Sequence, residues 1–385
     1  MHGDLQEDCK REELTLDILI KMSCPTGEYR IHSLNSRSDL LRTLERHQDT
    51  LKQPWPAFFH GSPTLTTYLP RLIDYTGLLR YQYVMVWQNH TGQETLVAHA
   101  RSVPFYWPEL AGFHRRQPPH LNPTISLAGE DGQRVLNSLP DGGYETILSR
   151  AVEQFFVRHG LPAMSPPLTH DQARDMAVRR LSEAPNALVS MGIVVHPDWR
   201  GQGIVSRMVQ YMTSVAGKDG FGVLVTPLRP AGKALFPTVD MQEYLGWRKE
   251  LGPKTVGGSL AFSGPVSNRS MSVSALVGDG DVVCVPFDPA LRKHVSLGGR
   301  VVKIARNSIS VMRDIGAWEG WTKLDLEELV ESEVENCEMG LKEGQAYLEI
   351  CVPGALVPVR YYPKDRRLVY CEPNVWVYHS VTAPR

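Results

Sequence analysis

The sequence predicts an α/β protein, a mixed and twisted sheet with helices on both faces. Strand-like and helix-like segments alternate over most of its 385 residues. Two early strands, Tyr81–Trp87 and Glu94–Val103, flank a short loop holding Asn89-His90-Thr91-Gly92; this antiparallel pair argues against an all-parallel sheet. A strand, a glycine loop and a helix run through Ser190–Met212, and a second apolar strand, Phe221–Pro230, follows soon after.

Taken in order, residues 1 to about 18 read as a mobile tail. Ser38 is placed to cap a helix whose apolar face includes Leu41, Leu44 and Leu51. The next stretch, PWPAFFHGSPTLTTYLP, is rich in aromatic residues and proline. After the hairpin, residues 104–143 read as loop, marked by Pro and Gly. A helix over Tyr144–His159 gathers Ile147, Leu148, Ala151, Val152, Phe155 and Phe156 on one side, with Gly160 at its C-cap. Another runs over Asp171–Ser182, with Thr169 or Asp171 near its start. Residues 251–282, rich in Gly and Ser, read as a surface insertion. Beyond them come a helix at Phe287–Leu297, a strand at Arg300–Val311 and an acidic helical stretch at Glu327–Cys337. Strands at Ala346–Val352 and Leu356–Tyr361 precede the closing strand Leu368–His379. The organisation is thus one domain over residues 19–385, with insertions at about 104–143 and 251–282.

A net charge of −1 and a pI near 6.9 give no basic footprint for nucleic acid. There is no run of about 18 apolar residues to span a membrane. The opening MHGDLQEDCKREE is polar and acidic, unlike a signal or transit peptide. The six cysteines form no C-x-x-C pair and stand beside no ligand-spaced histidines. They read as reduced packing residues of a cytoplasmic protein without a structural metal.

The chemistry lies at Ser190–Met212, SMGIVVHPDWRGQGIVSRMVQYM. Ile193, Val194 and Val195 end a β-branched strand, and Pro197, which has no N–H, stops its pairing. Gly201 and Gly203 allow a close backbone approach, and Ile204, Val205, Met208, Met212 and Val215 recur at helical spacing. Backbone N–H groups and a helix N-terminus converging on one place make a phosphate site. No Lys-Ser or Lys-Thr follows the glycines, which excludes a P-loop; position 206 is Ser, which excludes the dinucleotide fingerprint. The alternative is a strand-loop-helix whose glycines serve geometry alone.

This loop resembles the pyrophosphate loop of the GNAT acyltransferases, which bind acyl-coenzyme A. The family pattern [QR]-x-x-G-x-[GA] maps onto Arg200, Gly203 and position 205, where Val205 replaces the usual Gly or Ala and is expected to crowd the pyrophosphate. FGVLVTPLRP, YLGW, FDPALRKHVSLGG, GALVPV and EPNVWVYH resemble, in order, a long-chain branch of the superfamily, over about Val84 to His379. The resemblance implies the GNAT fold, a mixed and mostly antiparallel twisted sheet flanked by helices, with insertions and a C-terminal extension. It implies acetyl-CoA, or another acyl-CoA, as co-substrate and a small-molecule amine as acceptor. Carried over, the donor is held by Ile193, Val194, Val195, Arg200, Gly201, Gln202, Gly203, Ile204 and Val205.

The resemblance also implies a proton donor for the departing thiolate, four residues ahead of a glycine. In LRKHVSLGG that residue is His294, with an imidazole near its ordinary pKa of about 6.5 serving as acid or as base. Tyr244 is the alternative acid; a packed aromatic is its other reading. The strand Ser190–Val195 carries no carboxylate, which leaves Glu243, Asp240, His196 and His99, or a water chain, as candidate bases. Glu372 orients an acceptor amine or caps a turn, and Lys233 contacts a coenzyme A phosphate or is a plain surface lysine. Trp55, Phe58, Phe59, Phe105, Tyr106 and Trp107 wall an acceptor pocket or pack a core. Beside an N-acyltransferase stand two other readings, a non-catalytic protein that binds coenzyme A or a metabolite and an O-acyltransferase using the same slot.

Overall fold

The computed structural model describes residues 27–47, 50–51, 55–116, 127–164, 168–251, 283–329 and 347–381. The tail 1–18, the insertion expected at 251–282 apart from residue 251, and the acidic stretch beyond 329 lie outside the described residues.

The architecture is mixed α/β, a mostly antiparallel sheet flanked by helices. Its strands are β1 (Gly27–Ser33), β2 (Gln82–Asn89), β3 (Glu94–Phe105), β4 (Ala187–Val195), β5 (Val223–Leu228), β8 (Arg300–Asp314), β9 (Leu348–Ile350), β10 (Val359–Tyr362) and β11 (Arg367–Ser380). β6 (Arg248–Leu251) and β7 (Val283–Pro286) form a separate antiparallel pair at the ends of the 252–282 segment. The main sheet runs β1-β2-β3-β4-β5-β11-β10-β9, with β8 also paired to β11. Every neighbouring pair is antiparallel except β4 and β5.

Successive residues of a strand face opposite sides, and the core divides accordingly. Val189, Val225, Trp376 and Tyr378 face one side, under helix α2 (Gly143–Arg158). Leu188 and Leu224 face the other, under Ile204, Met208, Val209 and Met212 of helix α3 (Ile204–Lys218). On this second side also lie α4 (Met241–Gly246) and α5 (Pro289–Ser296), whose Tyr244 and Leu291 pack on Val375 and Val377 of β11.

The helix expected over Tyr144–His159 is α2, and the structure buries it on every side from Gly143 to Phe156. Its polar groups are therefore paired. Arg150 Nε donates to Asp175 at 3.0 Å, Tyr68 donates to Glu153 at 2.6 Å, and Gln154 Nε2 donates to the carbonyls of Tyr106 and Val178. Other expectations are corrected. Ser38 precedes helix α1 (Asp39–Arg46) in a helical conformation and makes no capping hydrogen bond. The stretch read as loop holds two helices, Pro108–Arg116 and Gly129–Asn137. The helix expected over Asp171–Ser182 is two short ones, His170–Arg174 and Met176–Arg179, the first closed by a Thr169–Gln172 capping box. Cys284, Cys351 and Cys371 are free, but the first two are exposed rather than packed. No helix among the described residues is long and apolar enough to cross a membrane.

Candidate active site

The sheet opens between β4 and β5. They share only Leu188↔Leu224 and Val189↔Val225. β4 then continues to Val195 beside β3, where Ala100, His99 and Ala98 pair with Ile193, Val194 and Val195. From Ser190 onward its other edge has no strand beside it among the described residues. Two features produce the divergence. The β3–β4 register shifts between Ser190 and Gly192, a bulge that bends and twists β4. Pro227 in β5 contributes no N–H to a ladder, which a strand tolerates where its edge is free. The result is a slot with unused peptide groups on its β4 wall, suited to an extended amide-bearing chain.

The glycine loop closes the slot at the C-terminal end of β4. His196 still donates its N–H to Val97 O at 2.9 Å. Pro197–Trp199 then form a single 3-10 turn, and Gly201 and Gly203 take φ of 81° and 75°. An L side chain rarely adopts these values, so both positions favour glycine for their backbone. Gly203 is the N-cap of α3, whose first-turn N–H groups have no intrahelical acceptor. The exposed Arg200 folds its Nε back to Val195 O at 3.4 Å. Val205 is half-buried and packs against the apolar cluster of Ile204 and Met208.

The loop is braced from the far edge of the sheet, a feature that sequence reasoning missed. Tyr29 of β1 pairs with Trp87 of β2. The Tyr29 hydroxyl donates to Gln202 Oε1, Arg207 lies over the Tyr29 ring at 5.1 Å, and Trp199 packs edge-on to Tyr29 and against Trp87. No spacing along the chain predicts this, because Tyr29 and Gln202 stand 173 positions apart.

His294 lies on α5, buried, with Nδ1 2.9 Å from Nε2 of His379 on β11. Burial first, and then His379, pushes His294 down from 6.5 to about 4, and burial does the same to His379. The expected imidazole near 6.5 is corrected: His294 is uncharged at neutral pH. Tyr244 donates to Asp288 at 3.0 Å inside an aromatic cluster of Phe236, Trp247 and Phe287, and burial raises its pKa. Glu372 is fully buried on β11. It accepts from Arg229 Nε at 3.0 Å, Tyr370 at 2.8 Å and Asn374 Nδ2 at 3.0 Å. Burial raises its pKa, and Arg229 opposes that shift. The carboxylate so held ties β11 to the residue that follows β5.

Lys233 is completely buried, not on the surface, and donates to the carbonyls of Phe236 and Leu356, each at 2.7 Å. It is a staple and offers nothing to a phosphate. Among the candidate bases, Asp240 caps α4 through Gln242 N, Glu243 is exposed, and His196 Nδ1 accepts from Asp198 N at 3.3 Å. His99 is buried against Leu51 O at 2.8 Å and is pushed down to about 4 by burial. Phe58, Phe59, Phe105 and Trp107 are core residues, while Trp55 and Tyr106 are half-buried.

The chain is similar to an arginine N-acetyltransferase. It is 28% identical over 361 residues to avaD of Aspergillus versicolor, across 94% of this chain and 96% of that one. No protein-family model matches. Among solved structures, the loading GNATL domain of CurA from Lyngbya majuscula aligns with 92% of this chain and 98% of its own, at 10% identity and a TM-score of 0.38. A Drosophila melanogaster polyamine N-acetyltransferase aligns with 52% of this chain and 75% of its own, at 14% identity and a TM-score of 0.24. The sequence match, over 94% of this chain, supports an acyltransferase enzyme.

The buried titratable groups set a pH window for stability. His99, His294 and His379 have folded values of about 4 against an ordinary 6.5. Between those values the unfolded chain binds protons that the folded chain refuses, so stability is full above 6.5 and falls as pH drops towards 4. Glu145 is shifted the other way, raised by burial to about 8 from 4.5. The folded chain keeps its proton where the unfolded chain releases it, and that stability is lost as pH rises from 4.5 to 8. Below pH 6.5 the three histidines outweigh Glu145, and above it Glu145 goes on losing stability, with Glu372, whose pKa burial also raises, acting in the same direction. Denaturant titrations across pH are expected to show maximal stability near 6.5, with a loss on the order of 5 kcal/mol by pH 4. A flat profile between pH 4 and 6.5 would contradict the burial of these histidines.

Proposed function

We propose that the chain is an acyl-CoA-dependent N-acyltransferase, with acetyl-CoA the first donor to test and a small-molecule amine as acceptor. The observation that carries this is the divergence of β4 from β5 beside a loop of two positive-φ glycines at a helix N-terminus. The slot suits the amide-bearing pantetheine arm, and the loop suits a pyrophosphate. Ile193, Val194 and Val195 line the arm, and Arg200 to Val205 hold the phosphates. Arginine and related amines are the first acceptors to test, on the strength of the avaD match. The reading takes residues 19–385 as one catalytic domain acting in the cytoplasm without a metal.

In the reaction the neutral amine nitrogen bonds to the acyl carbon, the C–S bond breaks, the amine loses a proton and the thiolate gains one. His294, uncharged at neutral pH, serves as a hydrogen-bond donor to the departing thiolate rather than as an imidazolium acid. Donation from its Nε2 requires that His294 Nδ1 accept from His379 Nε2–H across their 2.9 Å contact. Tyr244 and Glu372, whose polar atoms are engaged within the protein, hold the scaffold of the site.

Incubation with acetyl-CoA and a panel containing L-arginine and agmatine is expected to release free thiol and an N-acetyl product, read by mass spectrometry. His294→Ala is expected to keep donor binding and slow turnover by roughly 10- to 1000-fold. Donor binding without product on any amine would instead indicate a non-catalytic coenzyme A-binding protein, and product on alcohols alone an O-acyltransferase.

A further inference from the structure

We propose that Thr226 positions the acyl-CoA in the slot through its hydroxyl, a proposal that rests on the donor reading above. In VLVTPL of β5, Val223 and Val225 face the α2 side, and Leu224 and Leu228 face the α3 side. Thr226 belongs to the latter face, directly opposite Val377 of β11. It is the one polar side chain in that run, and valine would pack there as well. Its Oγ1 is buried and has no hydrogen-bond partner among the described residues. An unmade hydrogen bond in a buried place costs stability. A threonine kept at that cost is best explained by a ligand that completes it.

Its position says which ligand. Thr226 is the first β5 residue beyond Val225, the last to pair with β4, so it stands where the slot begins. The face it occupies carries α3, which the glycine loop opens, and the His294–His379 pair, His379 being opposite Leu224. A chain descending from the loop between β4 and β5 meets Thr226 at the inner end of the slot. An acyl-pantetheine arm presents carbonyl oxygens and amide N–H groups there, and a hydroxyl can serve either.

The test compares Thr226→Val, which keeps shape and removes the hydroxyl, with Thr226→Ser, which keeps the hydroxyl. Acetyl-CoA affinity is read by calorimetry, KM and kcat by thiol release, and stability by thermal unfolding. Thr226→Val is expected to unfold at or above the wild-type temperature, to bind acetyl-CoA roughly three- to tenfold more weakly and to raise KM by a similar factor. Thr226→Ser is expected to bind within about twofold of wild type. Wild-type affinity in the Val variant would overturn the proposal, as would loss of stability and binding together in both variants. If the wild-type protein itself binds no acetyl-CoA, the donor reading falls and takes this inference with it; a defect confined to the variants leaves the two separable.

Discussion

Replacing Gly203 with Glu is expected to abolish acetyl-CoA binding, by at least about 100-fold, while leaving a folded protein. Gly203 has φ of 75°, a conformation that costs an L residue roughly 1–2 kcal/mol. No neighbour lies within 4 Å of where its Cβ would sit, so the cost is backbone strain and not a clash. The chain can bear that, with a melting temperature a few degrees lower. The site cannot, because the new carboxylate stands at the N-terminus of α3, where the donor's phosphates are read to lie, and it competes for the same N–H groups. Calorimetry of wild type and variant, with circular dichroism to confirm folding, checks this. Unchanged affinity in a folded Gly203→Glu protein would remove the loop from the donor site.

Arg229→Met is expected to destabilise the protein by about 3–5 kcal/mol, because it leaves Glu372 buried without its cation. The second variant separates pairing from packing. In Arg229→Met/Glu372→Leu both charges are gone, and most of the loss is expected to return, since a buried ion pair and an apolar pair of similar volume are close in stability. Tyr370 and Asn374 then lose an acceptor, which limits the recovery. If Glu372 instead served the acceptor, Arg229→Met would alter the KM for the amine and leave unfolding in urea nearly unchanged. The double-mutant cycle reads both.

What was legible in the sequence followed local rules. Pro197, Gly201 and Gly203 punctuate a β-branched run and a helical apolar period, and the structure has β4, the loop and α3 there. The hairpin β2–β3 was legible from its loop, and β11 from an apolar run ending at His379. β1 was missed because GEYRIHS is a short edge strand, exposed or half-exposed along its length, whose alternation rests on Tyr29 and Ile31 alone. The helices of 104–143 were hidden by the Pro and Gly within them, Pro108 and Gly112 in the first and Gly129 and Gly132 in the second. The site's supporting contacts were illegible for another reason. Tyr29 meets Gln202, His379 meets His294, and Arg229 meets Glu372 only through sheet register and helix packing, across 173, 85 and 143 positions. Composition left the aromatic residues around Phe58 open between pocket wall and core, and the structure places Phe58, Phe59, Phe105 and Trp107 in the core, with Trp55 and Tyr106 half-buried.

The central claim is that the β4–β5 slot and its glycine loop hold an acyl-CoA. Isothermal titration of the intact chain with acetyl-CoA tests it most directly. One site per chain, with thermal unfolding shifted upward by the same ligand, is the predicted result; at about 100 times its dissociation constant the ligand adds roughly 2.7 kcal/mol, a shift of only a few degrees for a chain of this length. No heat and no shift at millimolar acetyl-CoA would contradict the account.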